Sequence, residues 1–214
     1  MWNQGEHVAL VGDTGSGKTF LLARMLRYRS YTVVLRTKDD DIKFPNTTRI
    51  TRTVDLTVNP NRSEAHYLLD PPYERQAIEA RRVMDKIWTE GGWTLGIDET
   101  WYLDKQLHLG PSLDRLLTQG RSKALSLICG MQRPAQISRF VLSQCTHLFA
   151  FASEGRDVQT LAEAFTPQIK IFMPELRRHE FLYWNRNTRI LRYGYAQDLD
   201  KILGVTRNVR TYSH

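Results

Sequence analysis

Short apolar runs alternate with amphipathic segments along most of this chain. The apolar runs are rich in β-branched and aliphatic side chains and predict buried strands at residues 7–11, 31–35, 93–99, 124–130 and 146–151. The segments between them carry apolar residues at helical spacing and predict helices at residues 20–27, 73–88, 111–120, 134–145 and 157–165. Strands that alternate with helices form mostly parallel sheets with helices on both faces. The pattern therefore predicts an α/β fold.

Additional strands are predicted on either side of this alternation. Residues 49–54 and 66–70 predict short edge strands, the second of which is stopped by Pro71 and Pro72. Near the C-terminus, the apolar segments 181–184 and 189–193 flank a polar turn and predict a β-hairpin. We therefore expect a mostly parallel central sheet followed by a C-terminal β-hairpin.

Length and composition favour one globular domain. The chain has 214 residues, of which 41% are hydrophobic and 25% charged, and we expect a single domain with its core at about residues 5–170 and a hairpin and tail after it. No apolar run approaches the ~20 residues of a membrane-spanning helix, and the N-terminus does not resemble a signal peptide. The net charge of +7 favours a polyanionic partner.

Metal and redox chemistry have few candidates. Cys129 and Cys145 are isolated in apolar surroundings and predict buried thiols of a reducing compartment rather than a disulfide. The six histidines form no cluster with ligand spacing, so we expect no zinc site. Asp39, Asp40 and Asp41 follow a predicted strand, where a solvated turn is favoured over a metal or ribose contact.

A complete phosphate-binding loop follows the first predicted strand. The pattern G-x-x-x-x-G-K-[ST] is matched by Gly12, Asp13, Thr14, Gly15, Ser16, Gly17, Lys18 and Thr19. The glycines let backbone N–H groups surround phosphate oxygens, and the following helix adds the positive end of its dipole. Lys18 is expected to reach the β- and γ-phosphates and Thr19 to hold Mg²⁺. The motif predicts ATP and Mg²⁺ as ligands.

A pair of carboxylates ends the predicted strand 93–99. Asp98 is placed to hold Mg²⁺ beside Thr19, and Glu99 to deprotonate an attacking water. The alternative is an acidic pair that caps the next turn. A nucleotide kinase would need a lid with paired arginines, and a signalling GTPase an Asn-Lys-x-Asp motif, which is not found. Glu99 instead favours hydrolysis.

Polar residues near two other element ends are further candidates. Gln132 follows a strand and is placed to sense the γ-phosphate, although a plain turn into the helix begun by Pro134 is the alternative. Arg121 follows the predicted helix 111–120 and is a candidate to act on the phosphates of a neighbouring subunit. A surface arginine at a helix C-terminus is about equally favoured there.

These motifs, in this order, resemble the FtsK/HerA superfamily of nucleic-acid-pumping ATPases, over roughly residues 5–193. The closest resemblance is to the small genome-packaging ATPases of tailless, membrane-containing double-stranded DNA viruses. It rests on the P-loop, on Asp98 and Glu99, and on the spacing from Gly120-Arg121 to Gln132-Arg133-Pro134. The resemblance implies a three-layer RecA-like P-loop core that works as a ring-shaped homo-hexamer around duplex DNA. It also implies Glu99 as the base, Gln132 as the sensor, and Arg121 or Arg133 as the residue acting across a subunit boundary.

The function implied is ATP-driven packaging of a viral genome into a preformed capsid, in the host cytoplasm or on the virion. A capsid vertex or viral membrane protein is a further expected partner. The alternative is a virion assembly or export ATPase of the zonula-occludens-toxin type, which usually carries a membrane segment. Thr94 and Gly96 depart from the usual apolar run before the first carboxylate. The basic candidates for DNA contact are Lys38, Lys43, Arg49, Arg52, Arg177 and Arg178.

Overall fold

The computed structural model describes residues 2–37, 44–58, 61 and 63–204. Within these residues, nine strands form one sheet: β1 His7–Val11, β2 Tyr31–Leu35, β3 Thr48–Ile50, β4 Ala65–Leu69, β5 Thr94–Ile97, β6 Ser126–Met131, β7 Cys145–Phe151, β8 Phe181–Asn185 and β9 Ile190–Gly194. Their order across the sheet is β3-β4-β2-β5-β6-β1-β7-β8-β9. Strands β1 to β7 pair in parallel, and β8 and β9 are antiparallel. The predicted mostly parallel sheet and C-terminal hairpin are confirmed.

Seven α-helices lie among the described residues: α1 Lys18–Leu26, α2 Gln76–Glu90, α3 Gly110–Gln119, α4 Arg139–Gln144, α5 Gly155–Ala164, α6 Ile169–Phe172 and α7 Leu199–Leu203. Helices α1 and α7 bury their apolar residues against one face of the sheet. Helices α2 to α6 cover the other face. The result is the three-layer arrangement expected of this fold.

The predicted helix at residues 134–145 is wrong in its middle. A short 3₁₀ turn, Pro134–Gln136, is followed by an extended residue, Ile137, with φ −92° and ψ 147°. Ile137 is buried, and Ser138 then caps α4 by accepting a hydrogen bond from the Phe140 N–H at 3.3 Å. Burial of one apolar side chain and a good N-cap therefore divide the segment. Cys145 belongs to β7 instead of the helix.

The predicted edge strand at residues 49–54 ends early, at Ile50. Thr53 lies in a 3₁₀ turn because both its N–H and its hydroxyl donate to a carboxylate oxygen of Glu79, at 2.7 and 2.8 Å. Burial by itself raises the pKa of Glu79, but the hydrogen bonds from Thr53 and Arg75 outweigh it and lower this pKa to about 2. A buried carboxylate thus fixes the chain after β3.

The two residues that depart from the expected apolar run of β5 have different surroundings. Thr94 is fully buried. Gly96 lies under α1, where an added Cβ would meet Leu22 and Val34 side-chain atoms at 3.1 Å. The small residue therefore allows the helix after the P-loop to lie close to the sheet.

Candidate active site

The P-loop runs from the end of β1 to the start of α1. Gly12 has φ 151°, and a Cβ there would lie 2.7 Å from Cβ of Phe151. Gly17 has φ 111° and forms the N-cap of α1. Both positions need glycine, because side chains rarely tolerate such φ values and neighbouring atoms leave no room at the first. The Lys18 ammonium donates to the carbonyl oxygens of Gly12 and Asp13, at 2.6 and 2.8 Å, so it lies within the curve of the loop.

The first carboxylate lies directly against the P-loop. The Thr19 hydroxyl donates to Oδ1 of Asp98 at 2.7 Å. Asp98 and Glu99 are 8% and 7% exposed, which places both carboxylates in a largely dehydrated position. These oxygens fit Mg²⁺, which prefers oxygen ligands and is usually held by few protein groups. The structure thus brings together Thr19 and Asp98, which lie 79 residues apart in the chain.

A glycine in the neighbouring strand makes room for this arrangement. Gly130 in β6 lies so close to the end of β5 that an added Cβ would be 2.8 Å from the Ile97 carbonyl oxygen. It would overlap the Asp98 carbonyl oxygen more severely still. The position of Asp98, directly after β5, therefore depends on the absence of a side chain at Gly130.

Gln132 and Arg133 lie at the same edge as the P-loop. The Gly12 N–H donates to the Met131 carbonyl at 3.1 Å, so the half-buried Gln132 follows directly beside the start of the loop. Arg133 forms an ion pair with Asp157 at 3.1 Å while its side chain stays 61% exposed. Gln132 is therefore near the nucleotide-binding edge, and Arg133 is held on the surface next to it.

Arg121 lies at the opposite edge of the sheet. It is exposed in the 3₁₀ turn Gly120–Lys123, which precedes β6 and contacts Gly5 just before β1. The length of β1, five residues at about 3.3 Å each, separates this turn from the P-loop of the same chain. Arg121 cannot reach its own P-loop, so a catalytic role requires a second subunit.

His179 is a site residue that the sequence motifs missed. Its Nδ1 lies 3.1 Å from the Ser16 carbonyl oxygen, and Arg177 and Arg178 are exposed in the same turn. The turn reaches the P-loop because β8 runs antiparallel to β7, so the start of β8 lies beside the end of β7. The Arg-Arg-His sequence before the hairpin was a signal for this cluster, but the pairing of distant strands decides where it lies.

A cavity of about 450 Å³ opens beside the P-loop. It is lined by Gly17, Phe20, Arg24, Phe151, His179, Tyr195, Ala196 and Gln197. Phe20, directly after the P-loop threonine, is 57% exposed. The cavity thus joins α1 to the segment after the hairpin and offers an aromatic wall next to the phosphate loop.

The remaining residues singled out from the sequence lie away from this site or outside the described residues. Cys129 and Cys145 are buried free thiols. Asp39, Asp40, Asp41, Lys38 and Lys43 lie outside the described residues. No helix in the described part of the chain is long and apolar enough to cross a membrane.

Sequence comparison relates the chain to a phage packaging protein. No protein-family model matches the chain. It is similar to the DNA packaging ATPase P9 of Enterobacteria phage PRD1, with 28% identity over 172 residues that cover 78% of this chain and 73% of the phage protein. This similarity confirms the resemblance to viral genome-packaging ATPases.

Solved structures share the fold. The genome packaging NTPase B204 of Sulfolobus turreted icosahedral virus 2, in complex with AMPPCP, matches with a TM-score of 0.67 and 20% identity, over 90% of this chain and 98% of that one. The conjugation coupling protein TcpA of pCW3, with ATPγS, matches with a TM-score of 0.58 and 14% identity, over 96% and 66% of the two chains.

Proposed function

We propose that this chain is an ATP-hydrolysing motor that translocates double-stranded DNA and packages a viral genome into a preformed capsid. The observation that carries the hydrolytic part is the contact between the P-loop Thr19 and the buried Asp98, with Glu99 as the next residue. The similarity to a phage DNA packaging ATPase supports the translocating part. A P-loop next to two strand-end carboxylates is suited to hydrolysis of a nucleoside triphosphate.

Each residue of the site has a proposed task in hydrolysis. The P-loop backbone and Lys18 bind and orient the triphosphate, and Thr19 and Asp98 would hold Mg²⁺. The metal, when bound, supplies positive charge that offsets the charge developing on the phosphates. Glu99 takes the proton of the attacking water, and its burial excludes competing solvent. Gln132, beside the start of the loop, senses the γ-phosphate.

The cavity next to Gly17 is the proposed binding site of the nucleoside. Its exposed Phe20 provides an aromatic face on which a base can stack. Tyr195 and Gln197 add hydroxyl and amide groups for the ribose or base edges. Because these residues can contact a base and a ribose, this side of the P-loop favours binding of a complete nucleotide such as ATP over free phosphate.

The proposal also includes the oligomeric assembly of the chain and its binding partners. Because Arg121 cannot reach its own P-loop, we propose that it acts in the site of a neighbouring subunit of a homo-oligomeric ring, most simply a hexamer. Arg133, fixed by Asp157 at the P-loop edge, is the other candidate. Duplex DNA would be bound through its phosphates without regard to sequence. The motor would work in the host cytoplasm or on the virion, docked on a capsid vertex or viral membrane protein.

Steady-state ATPase activity with and without long double-stranded DNA, at two salt concentrations, tests this proposal. We expect DNA to stimulate hydrolysis and the stimulation to fall as salt rises, because phosphate contacts release counterions. Absence of stimulation, together with binding to a capsid or membrane protein, would contradict DNA translocation and favour an assembly ATPase.

A further inference from the structure

A second cleft opens on the sheet edge that carries the P-loop, beyond β5. It has a volume of about 610 Å³ and lies over the ends of β2 and β4. Arg36 and Asp70 directly follow these two strands, and the Arg36 N–H donates to the Leu69 carbonyl at 3.0 Å. None of the described residues that line this cleft belongs to the nucleotide site described above.

The charge and chemistry of the cleft suit an anion. Arg36 and Arg49 both bind one carboxylate oxygen of Asp70, at 3.0 and 2.5 Å, and these three residues are the charged ones among the described residues that line the cleft. The Arg49 side chain remains 66% exposed. The guanidinium of Arg49 carries five N–H donors in a fixed fork, more than the Asp70 oxygen accepts, and this fork matches the geometry of a phosphate.

Hydroxyl groups complete the polar lining. The hydroxyl oxygen of Thr37 is buried and has no hydrogen-bond partner among the residues the structure describes. Tyr73 is 76% exposed at the rim. Buried polar atoms are normally satisfied, so an oxygen-rich anion with adjacent donors and acceptors is a chemically suitable partner for this cleft.

Residues of the cleft are connected through the backbone to the segment that carries Asp98 and Glu99. Leu35 of β2 pairs with Ile97 of β5, so Arg36 and Asp98 follow neighbouring strand ends. Tyr102 lines the cleft and begins a π-helical turn that starts soon after Glu99. The Leu103 N–H approaches the Glu99 carbonyl at 3.4 Å. Local π-helical geometry is frequent at functional sites.

We propose that this cleft binds a phosphate of the duplex DNA backbone, and that its occupancy adjusts Glu99 through Tyr102 and the end of β2. The proposal rests on the proposed function, for which it names the surface that grips DNA. Of the basic residues considered for DNA contact, the proposal selects Arg49, which lines this cleft. Arg177 and Arg178 lie instead in the turn beside the P-loop.

Arg49→Ala in the full chain tests binding. We expect the affinity for a fluorescein-labelled duplex, measured by anisotropy, to fall about tenfold. The slope of log affinity against log salt should decrease by about one for each lost contact. Basal ATPase activity should be unchanged. Arg139→Ala is the matched control, because Arg139 is also an exposed arginine in an ion pair, with Glu163 at 2.9 Å, but lies outside the cleft.

The possible results separate this proposal from the function on which it rests. If the wild-type chain neither binds nor responds to DNA, the proposed function itself fails. If the wild type responds and Arg49→Ala responds equally, only the cleft assignment is overturned. Inorganic phosphate that protects the wild type against urea, but not Arg49→Ala, while DNA affinity is equal in both, would indicate a free-anion site and would also overturn it.

Tyr102→Phe tests the connection to Glu99. The Tyr102 hydroxyl donates to the Gln76 side-chain oxygen at 2.7 Å, and the substitution removes this bond with little change of shape. We expect unchanged DNA affinity and an unchanged KM for ATP, but a several-fold smaller stimulation of kcat by DNA. Full stimulation in Tyr102→Phe would overturn the coupling, and equal loss of basal kcat would show a merely structural role.

Discussion

Replacement of Gly130 by alanine tests whether the packing of β6 on β5 positions the metal-side carboxylate. The alanine methyl would lie 2.8 Å from the Ile97 carbonyl oxygen and nearer still to that of Asp98, distances that Cβ atoms in proteins essentially never show. Both obstacles are backbone atoms of the central sheet, so neither can rotate away as a side chain would. The end of β5 must move away from β6 and take Asp98 with it.

The size of this overlap determines the expected losses of stability and of catalytic rate. Overpacking of a well-packed core costs about 1–3 kcal/mol of unfolding free energy. The same displacement lengthens the 2.7 Å bond between Thr19 and Asp98. A misplacement of about 1 Å near reacting groups lowers a rate by roughly 100-fold. We therefore expect Gly130→Ala to remain folded, with kcat for ATP hydrolysis reduced by roughly that factor.

Urea unfolding and steady-state ATPase assays measure the two effects separately. Gly92→Ala is the control, because Gly92 has φ 74° and no atom within 4 Å of an added Cβ. Alanine there costs about 1–2 kcal/mol of backbone strain at the other edge of the sheet, so stability should fall while kcat is retained. A wild-type kcat in folded Gly130→Ala would refute the reasoning, as would an equal loss of activity in Gly92→Ala.

Three further predictions concern other parts of the molecule. Glu99→Gln should retain ATP binding and abolish turnover in a steady-state assay, and hydrolysis near the wild-type rate would remove Glu99 as the base. Arg121→Ala mixed with wild-type protein should reduce ATPase activity more steeply than dilution does, whereas a linear fall would exclude action across a subunit boundary. Burial, together with the positive charge of Arg121, lowers the pKa of His7 to about 4, although the hydrogen bond to the Leu117 carbonyl favours the protonated ring. The ring lies between the Leu127 N–H and the Leu117 carbonyl, each at 3.1 Å. Since this pKa lies below the unfolded value of about 6.5, the stabilisation is complete above pH 6.5 and is lost toward pH 4, by about 3 kcal/mol in total. Urea unfolding across this range should show a smaller pH dependence in His7→Gln, and equal slopes would contradict the assignment.

The sequence predicts those parts of the fold that depend on local pattern. Strands β1 and β2 match their predicted bounds because each is a short apolar run ended by a turn signal. The P-loop was likewise identifiable, since its glycines and Lys18 are needed wherever this loop occurs. The contact of Thr19 with Asp98 was predictable as well, because carboxyl ends of parallel strands share one edge.

Features that depend on tertiary contacts were not predictable in this way. The 3₁₀ turn at Thr53 exists because Glu79, 26 residues later, accepts its hydrogen bonds. Ile137 leaves the helical conformation in order to be buried, which no local propensity indicates. His179 reaches the P-loop only because β8 reverses direction beside β7. In each case the deciding partner lies far along the chain.

The position of Arg121 shows how the fold restricts mechanism. The parallel strands place their carboxyl ends, with the P-loop and both carboxylates, at one edge of the sheet, and place the turn that holds Arg121 at the other. A single chain therefore carries a phosphate site on one edge and an exposed arginine on the opposite edge. If this arginine completes catalysis, it does so only in a head-to-tail assembly, and such contacts close into a ring when the rotation between subunits allows it. Strand direction therefore makes a ring the assembly that a trans-acting Arg121 would require of the proposed motor.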